Sequence, residues 1–112
     1  MKLLISIVQD ADVNFLMDGL TESGYRVTRL ATTGGFLKKG NTTLLIGVEE
    51  EDLDEVLEII ESNCKRRNTT TTIINPSAES SLLTNTVPVD ITVGGATIFI
   101  VDVDQYIRLW VS

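Results

Sequence analysis

The sequence predicts a single α+β domain, over residues 1–112, with a ferredoxin-like antiparallel sheet and both helices on one face. The order of the elements carries the fold prediction, and the apolar faces of the strands carry a prediction about assembly. Along the 112 residues, patterns of strand and helix period alternate as β-α-β, β-α, then a long loop and two strands. The first and third strand patterns are apolar on both faces, although two helices cover only one. We therefore expect the uncovered face to pack against other copies of the chain.

The first strand and helix are predicted from residues 2–24. Residues 2–8, KLLISIV, alternate between two apolar faces, which is typical of a central strand. An amphipathic helix is then predicted over about 11–23, with Asp10 or Asp12 as its N-cap. Gly24 follows where a C-cap glycine belongs.

The second and third strands flank a glycine-rich stretch. Residues 25–32, YRVTRLAT, are rich in β-formers and predict the second strand. Residues 42–48, TTLLIGV, predict the third, and the two can pair antiparallel. Between them, TTGGFLKKGN at 32–41 is typical of a loop.

The second helix is predicted from a capping box and an apolar stripe. Asp52 and Glu55 have the spacing of the box, and the cations of residues 65–67 follow the stripe and favour the helix end. Acidic residues concentrate between 49 and 61. Helix electrostatics account for this concentration more simply than a carboxylate active site does.

The last third of the chain is predicted as a long loop and a hairpin. Residues 68–86 are rich in Thr, Ser and Asn and predict an irregular segment. Gly94-Gly95 then predicts an extra C-terminal hairpin of residues 87–93 with 96–103, and Pro88 favours an edge strand. The predicted cross-strand pairs are Val93 with Ala96, Ile91 with Ile98 and Val89 with Ile100. The tail that includes Tyr106, Leu109 and Trp110 has near-helical spacing and is expected to pack on its own oligomer, with an interaction motif for another protein as the alternative.

The composition excludes several classes of enzyme. The chain has no His, which excludes a His general base, a triad with His and a zinc site with His. Cys64 is the only cysteine, which excludes a disulfide framework and fits a reducing compartment. The apolar start is too short for a signal peptide or a membrane span. We therefore expect a cytoplasmic protein without membrane association.

Charge is unevenly distributed along the chain. Lys and Arg number 9 against 16 Asp and Glu, a formal net charge of −7, which disfavours a nucleic-acid partner. Between Ser23 and Val48, however, there is no acidic residue, and Arg26, Arg29 and Lys38 are among the cations. This span can hold a small anion.

Several residues of this span are candidates for a nucleotide site, and each has a structural alternative. The loop at 32–41 offers glycine backbone to a phosphate but lacks the P-loop pattern, so a plain connection is an alternative. Asn41 has the amide geometry that pairs with adenine, and it is equally a turn residue. Phe36 is a stacking residue or a core anchor. Arg26 and Thr28 project together as ligand contacts or as an intersubunit surface.

Three stretches resemble one known family. IVQDAD at 7–12, RVTRLATTGGFLKKGNTTLLIGV at 26–48 and VDITVGGATIFIVDV at 89–103 are similar to the PII-like cyclic di-AMP receptor family. The similarity extends over nearly the whole chain, and the long LATTGGFLKKGNTT run is its most specific part.

The resemblance implies a PII-like homotrimer that binds cyclic di-AMP in clefts between subunits, without catalysis, metal or other cofactor. Binding would order loops and signal to a downstream protein that the sequence does not identify. By this resemblance, Arg26 and Thr28 would contact a phosphate and a ribose of the ligand. The other implied ligand contacts are Gly35, Phe36 and Leu37 as a backbone and apolar wall, Asn41 and Gly47 for adenine, and Phe99 of the adjacent subunit against a base.

This chain departs from the family pattern at three places, and three other functions stay open. Gly24 stands where some relatives carry a polar side chain, and Lys38 stands where some carry Arg, which would weaken a bidentate phosphate contact. Residues 75–89 lack the glycine pair and tyrosines of some relatives. The alternatives are a PII-like sensor of another adenine nucleotide such as ATP, and a trimeric adaptor that binds only protein. A metal enzyme using Asp90, Asp102 or Asp104 is the third, although no metal-ligand spacing supports it.

Overall fold

The computed structural model describes residues 1–30, 40–74 and 86–110. It contains two α-helices and six strands in the described ranges. In chain order they are β1 (Lys2–Gln9), α1 (Asp10–Glu22), β2 (Val27–Arg29), β3 (Asn41–Val48), α2 (Leu53–Asn63), β4 (Arg67–Ile74), β5 (Thr86–Val93) and β6 (Ala96–Asp102).

Four strands form one antiparallel sheet in the order β2-β3-β1-β6. Residue Leu3 lies opposite Gly47 on β3 and opposite Val101 on β6, which makes β1 a central strand as predicted. The predicted antiparallel pairing of the second and third strands is also confirmed, with Thr28 opposite Leu45. The fold is therefore α+β, and the strand order is consistent with a ferredoxin-like domain.

Both helices pack on the same face of this sheet. Strand residues that alternate along β1 and β3, such as Leu4 and Ile46, are fully buried against Leu16 of α1 and Val56 of α2. Burial of such side chains stabilises each by about 1.5–3 kcal/mol. The opposite side of the sheet, which we call the open face, carries Thr28 of β2, Asn41, Thr43, Leu45 and Gly47 of β3, Leu3, Ile5 and Ile7 of β1, and Thr97, Phe99 and Val101 of β6.

Helix α1 begins and ends one residue earlier than predicted. Its C-terminus is a Schellman motif, in which the Tyr25 N–H donates to the Leu20 carbonyl at 2.9 Å and the Gly24 N–H donates to Thr21 at 3.0 Å. Gly24 has φ of +88°, so the predicted role of this glycine is confirmed. The predicted N-cap is wrong, because Gln9 occupies that position and makes no side-chain capping bond within the described part of the chain.

Helix α2 also starts differently from the prediction. A 3-10 turn, Glu50–Asp52, precedes it, and the Asp52 N–H donates to the Glu49 carbonyl at 3.0 Å. Asp52 makes no side-chain capping bond to any described residue, so the predicted capping box is wrong. The 3-10 turn takes its place in starting the helix. The helix ends at Asn63, before the cations of residues 65–67.

The irregular segment predicted over 68–86 is a strand at 68–74, and its residues 75–85 lie outside the described ranges. Residues 67–74 form β4, which pairs antiparallel with β5 in a second, two-stranded sheet. Thr69 lies opposite Ile91, and Thr71 lies opposite Val89. Threonine and isoleucine are β-branched, and this property outweighs the polarity that suggested a loop. We call this pair of strands, residues 67–74 and 86–93, the arm.

The predicted C-terminal hairpin across Gly94-Gly95 is wrong. Strand β5 belongs to the arm, whereas β6 pairs with β1, with Phe99 opposite Ile5. The glycines instead allow residues 94–95 to cross close to residues 64–65. A Cβ on Gly94 would lie 2.2 Å from the Lys65 carbonyl oxygen, and the Gly95 N–H donates to the Cys64 carbonyl at 2.6 Å.

Two further predictions concern segments at the ends of elements. The predicted second strand over 25–32 is shorter in the structure, since β2 comprises Val27–Arg29 and residues 31–39 lie outside the described ranges. The tail at 105–110 has no regular structure, and Leu109 and Trp110 are 77% and 82% exposed in the single chain. The near-helical spacing therefore does not form a helix, and packing of the tail on an oligomer stays a prediction.

Candidate functional site

One end of the open face contains a concave pocket of about 700 Å³. Three residues that the sequence analysis proposed as ligand contacts line it together: Arg26, Thr28 and Gly47. Its other walls include Met1, Leu3, Gly24, Tyr25, Leu45, Val48, Glu49, Asp52, Val103 and Tyr106. The pocket combines an apolar floor with polar groups, which is typical of a site for a small organic ligand.

Strand register explains why these side chains meet. Val27 lies opposite Ile46, so the same antiparallel register, continued by one residue, brings Arg26 beside Gly47. Leu3 lies opposite Gly47 on the other side of β3. Since neighbouring strands are about 4.8 Å apart, Arg26, Gly47 and Leu3 form one row across three segments of chain.

No feature of the described structure requires a glycine at position 47. It lies inside β3 and is not among the glycines with positive φ. An added Cβ would meet no atom of the described residues within 4 Å. Because glycine weakens a strand interior, a glycine here indicates that something outside the chain approaches the backbone closely.

Charges of both signs surround the pocket. Arg26 is exposed at its mouth, and Glu49 and Asp52 line another part. The Glu49 carboxylate lies 3.9 Å from the amino group of Met1. Desolvation and a hydrogen bond to Glu55 raise the pKa of Tyr25 to about 12, so its phenol stays protonated at neutral pH.

Asn41 and Phe99 lie on the open face but away from Gly47. Asn41 is opposite Gln9, at the other end of β3, and six residues of strand separate it from Gly47 by about 20 Å. Within one chain, the two residues therefore cannot contact the same adenine. Phe99 is 55% exposed and lies opposite Ile5, two strands or about 10 Å from Leu45.

The remaining candidates divide into those that are not described and those that the sequence analysis missed. Gly35, Phe36 and Leu37 lie outside the described residues. Tyr25 and Tyr106 line the pocket and were not proposed as ligand contacts. Tyr25 is adjacent to Arg26, a signal that could have identified it, whereas nothing in the sequence connects Tyr106 with β3.

The acidic residues considered for a metal site do not form one in the described ranges, where no group of three metal-ligating side chains comes together. Asp90 lies in the arm and accepts a hydrogen bond from the Thr70 hydroxyl at 2.9 Å. Asp102 lies on β6 and pairs with Lys2, whose hydrogen bond holds the pKa of that carboxyl below its usual range.

Comparison with known proteins gives this site its context. The sequence model of the family described as "Cyclic-di-AMP receptor" matches residues 1–109, and the chain belongs to this family. The resemblance noted in the sequence is therefore confirmed, and the family is one of receptors.

A solved structure is similar to this chain over almost its whole length. It is the crystal structure of a functionally unknown protein from Pediococcus pentosaceus ATCC 25745, with 44% sequence identity and a TM-score of 0.72. The alignment covers 96% of each chain. Within the described residues of the present protein, neither helix has the length and apolar character needed to cross a membrane.

Proposed function

We propose that this protein is a receptor that binds cyclic di-AMP at subunit interfaces of a homotrimer, with the pocket on the open face as part of each site. The observation that carries the proposal is the meeting of Arg26, Thr28 and Gly47 in one pocket. The family match supports the identity of the ligand.

The chemistry of the pocket suits a cyclic dinucleotide of adenine. Arg26 supplies a guanidinium for a phosphate, and the Thr28 hydroxyl supplies a donor and acceptor for phosphate or ribose. Leu3 and Leu45 offer an apolar floor, and Gly47 leaves room for a flat base against the backbone. A ligand with two phosphates and two bases can use all of these groups.

In this proposal Asn41 and Gly47 of one chain contact different adenines, since about 20 Å of strand separates them. Gly47 packs against one base, and Asn41 donates to and accepts from the edge of the other. Phe99 of a neighbouring copy covers a base, because in its own chain it lies about 10 Å from the Leu45 side of the pocket. Gly35, Phe36 and Leu37 stay predictions from the family resemblance.

The output of the receptor is a change in its loops, and the contacts of residues 9–12 offer a route to the arm. The Asp10 N–H donates to the Gly40 carbonyl at 2.8 Å, and the Thr42 hydroxyl donates to the Asp10 carboxylate at 2.5 Å. Asn41 lies between these two contacts. A ligand held by Asn41 therefore acts on backbone that is bonded to the start of α1.

The same short segment holds both strands of the arm. The Gln9 side-chain oxygen accepts a hydrogen bond from the Gly94 N–H at 2.7 Å, and Arg67 donates to the buried Asp12 carboxylate at 2.6 Å. Ligand binding and arm position thus share residues 9–12. We expect hydrogen exchange of backbone amides in β4 and β5 to slow when ligand is added.

Calorimetric titration tests the proposal directly. Purified protein is titrated with cyclic di-AMP, ATP and cyclic di-GMP, and we expect about one cyclic di-AMP per chain with selectivity over the other two. The same titration is run on Arg26→Gln, which removes the guanidinium from the pocket and should weaken binding by about 10-fold or more.

Arg29→Gln is the matched control, since Arg29 is an exposed arginine at the end of β2, on the side of that strand opposite to Thr28. It removes the same charge and should leave affinity unchanged. Selective binding of ATP would favour a sensor of another nucleotide. Absence of heat and of thermal stabilisation with every nucleotide would favour an adaptor that binds only protein.

A further inference from the structure

Tyr106 occupies a position in the pocket that the sequence does not predict. The tail leaves β6 at the end of the sheet where the Val103 N–H donates to the Met1 carbonyl at 3.2 Å. Leu3 and its partner Gly47 lie at this same end, and Gln9 and Asn41 lie at the other. Tyr106, three residues after Val103, is therefore directed to the Gly47 end.

The tyrosine is available to a ligand in the single chain. Its side chain is 62% exposed although it lines the pocket, and residues 105–110 form no helix or strand that requires it. Leaving a large aromatic surface in contact with water loses the free energy that its burial would provide. A flat apolar partner in the pocket would bury it.

The groups that border this end differ between the β2 side and the tail side. Glu49 is bound to the Met1 amino group at 3.9 Å, and Met1 is in turn bonded to Val103. The phosphate partners Arg26 and Thr28 border this end from the β2 side, and the Tyr106 ring borders it from the tail side. A base is the part of a nucleotide that suits the space between Gly47 and the tail.

We infer that Tyr106 is a ligand-binding residue whose ring packs against the adenine that lies over Gly47. This inference rests on the proposed function and adds to it the residue that closes the base site from the tail. The glycine supplies a bare backbone surface on one side of the base, and the phenol ring supplies an aromatic surface on the other. The tail is thereby ordered when ligand binds.

Substitution of Tyr106 measures this contact. Tyr106→Ala should weaken cyclic di-AMP binding by about 10-fold or more, the range expected for loss of one aromatic contact to a base. Tyr106→Phe keeps the ring and should bind as the unchanged protein does. Trp110→Ala is the matched control, because Trp110 is an aromatic residue of the same tail that is 82% exposed.

A fluorescence measurement distinguishes direct contact from an indirect effect. Trp110 is the only tryptophan, so the double variant Tyr106→Trp with Trp110→Phe carries a single reporter at position 106. Cyclic di-AMP should quench its emission, and the concentration dependence should match the calorimetric titration.

The two proposals fail in different ways. If the unchanged protein gives no heat with cyclic di-AMP, the proposed function is wrong and the inference falls with it. If the unchanged protein binds, but Tyr106→Ala binds equally well and the reporter at position 106 does not respond, only the role of Tyr106 is overturned.

Discussion

Gly47 shows how a single residue can carry a functional signal. The strand would be stabilised by a β-branched side chain, and nothing in the described structure occupies the space above this glycine. Gly47→Val should therefore keep or raise the thermal midpoint while it weakens cyclic di-AMP binding by about 10-fold or more, because the new methyl groups fill the base site. Thermal unfolding and calorimetric titration of one preparation measure both effects.

Ala96→Val is the control for added bulk, since Ala96 is exposed on β6 at the opposite end of the sheet, beside Val8. It should change neither quantity by much. Unaltered affinity in Gly47→Val would remove Gly47 from the binding site.

Cys64 gives a prediction about pH and reactivity. Burial raises the pKa of its thiol to about 11, because the thiolate is disfavoured away from water. At pH 8, alkylation by iodoacetamide should be about 100-fold slower in the folded protein than in urea, since the reactive thiolate is scarcer by two pKa units. The rate in the folded protein should rise with pH up to about 11. Mass spectrometry of timed samples measures it, and rapid labelling of folded protein at pH 8 would contradict the assignment.

Residue types alone predict part of the site. Arg26 and Thr28 share a side of a strand by simple alternation, so these two can be proposed from the sequence pattern, whereas Gly47 was proposed from the family resemblance alone. The position of Tyr106 in the pocket could not be predicted, because it depends on the Val103–Met1 contact and on an irregular path of the tail.

At the scale of elements, the arm depends on one buried charge. Asp12 is 1% exposed, and its Oδ2 has no hydrogen-bond partner among the described residues. The hydrogen bond from Arg67 to Oδ1 is therefore the main interaction that offsets the burial of this carboxylate. Arg67→Met should lower the free energy of unfolding by about 1–3 kcal/mol, because it leaves a buried carboxylate without its donor. Urea denaturation measures this loss, and faster amide exchange in β4 should locate it in the arm.

Arg66→Met is the matched control, since it removes the same charge from an exposed neighbour. The double variant Asp12→Leu with Arg67→Met should be less destabilised than the sum of the two single variants. Equal stability of Arg67→Met and Arg66→Met would show that the pair does not hold the arm.

The elements of the core were predictable, and those of the arm were not. Helix α1 and strands β1 and β3 combine clear periodicity with a large buried face, so pattern and packing agree. Strand β4 has its partner in β5 and not in the core, and its threonines therefore show no apolar alternation. The glycine pair at 94–95 was misassigned because a turn and a close crossing of chains both favour glycine.

At the scale of the whole molecule, the open face is the surface that an oligomer would cover. Phe99 and Val101 on β6 are 55% and 42% exposed, and Leu3 and Leu45 continue this apolar surface across the sheet. Exposed apolar patches of this kind mark association sites. If three copies packed through their open faces, these apolar side chains would be buried. Strand β6 of one copy would then approach the pocket of the next, so assembly and ligand binding would depend on the same surface.

Phe99→Glu tests this connection: if the open face is buried in a trimer, the new carboxylate would lose its water without gaining a partner, and assembly should weaken. Three chains of 12.3 kDa give 36.9 kDa, and light scattering should find this mass in the unchanged protein and a smaller mass in the variant. Phe15→Glu is the control, since Phe15 is 71% exposed on α1, away from the open face. It should remain a trimer and bind ligand. A trimeric Phe99→Glu that also binds cyclic di-AMP normally would show that Phe99 contributes neither to assembly nor to the site.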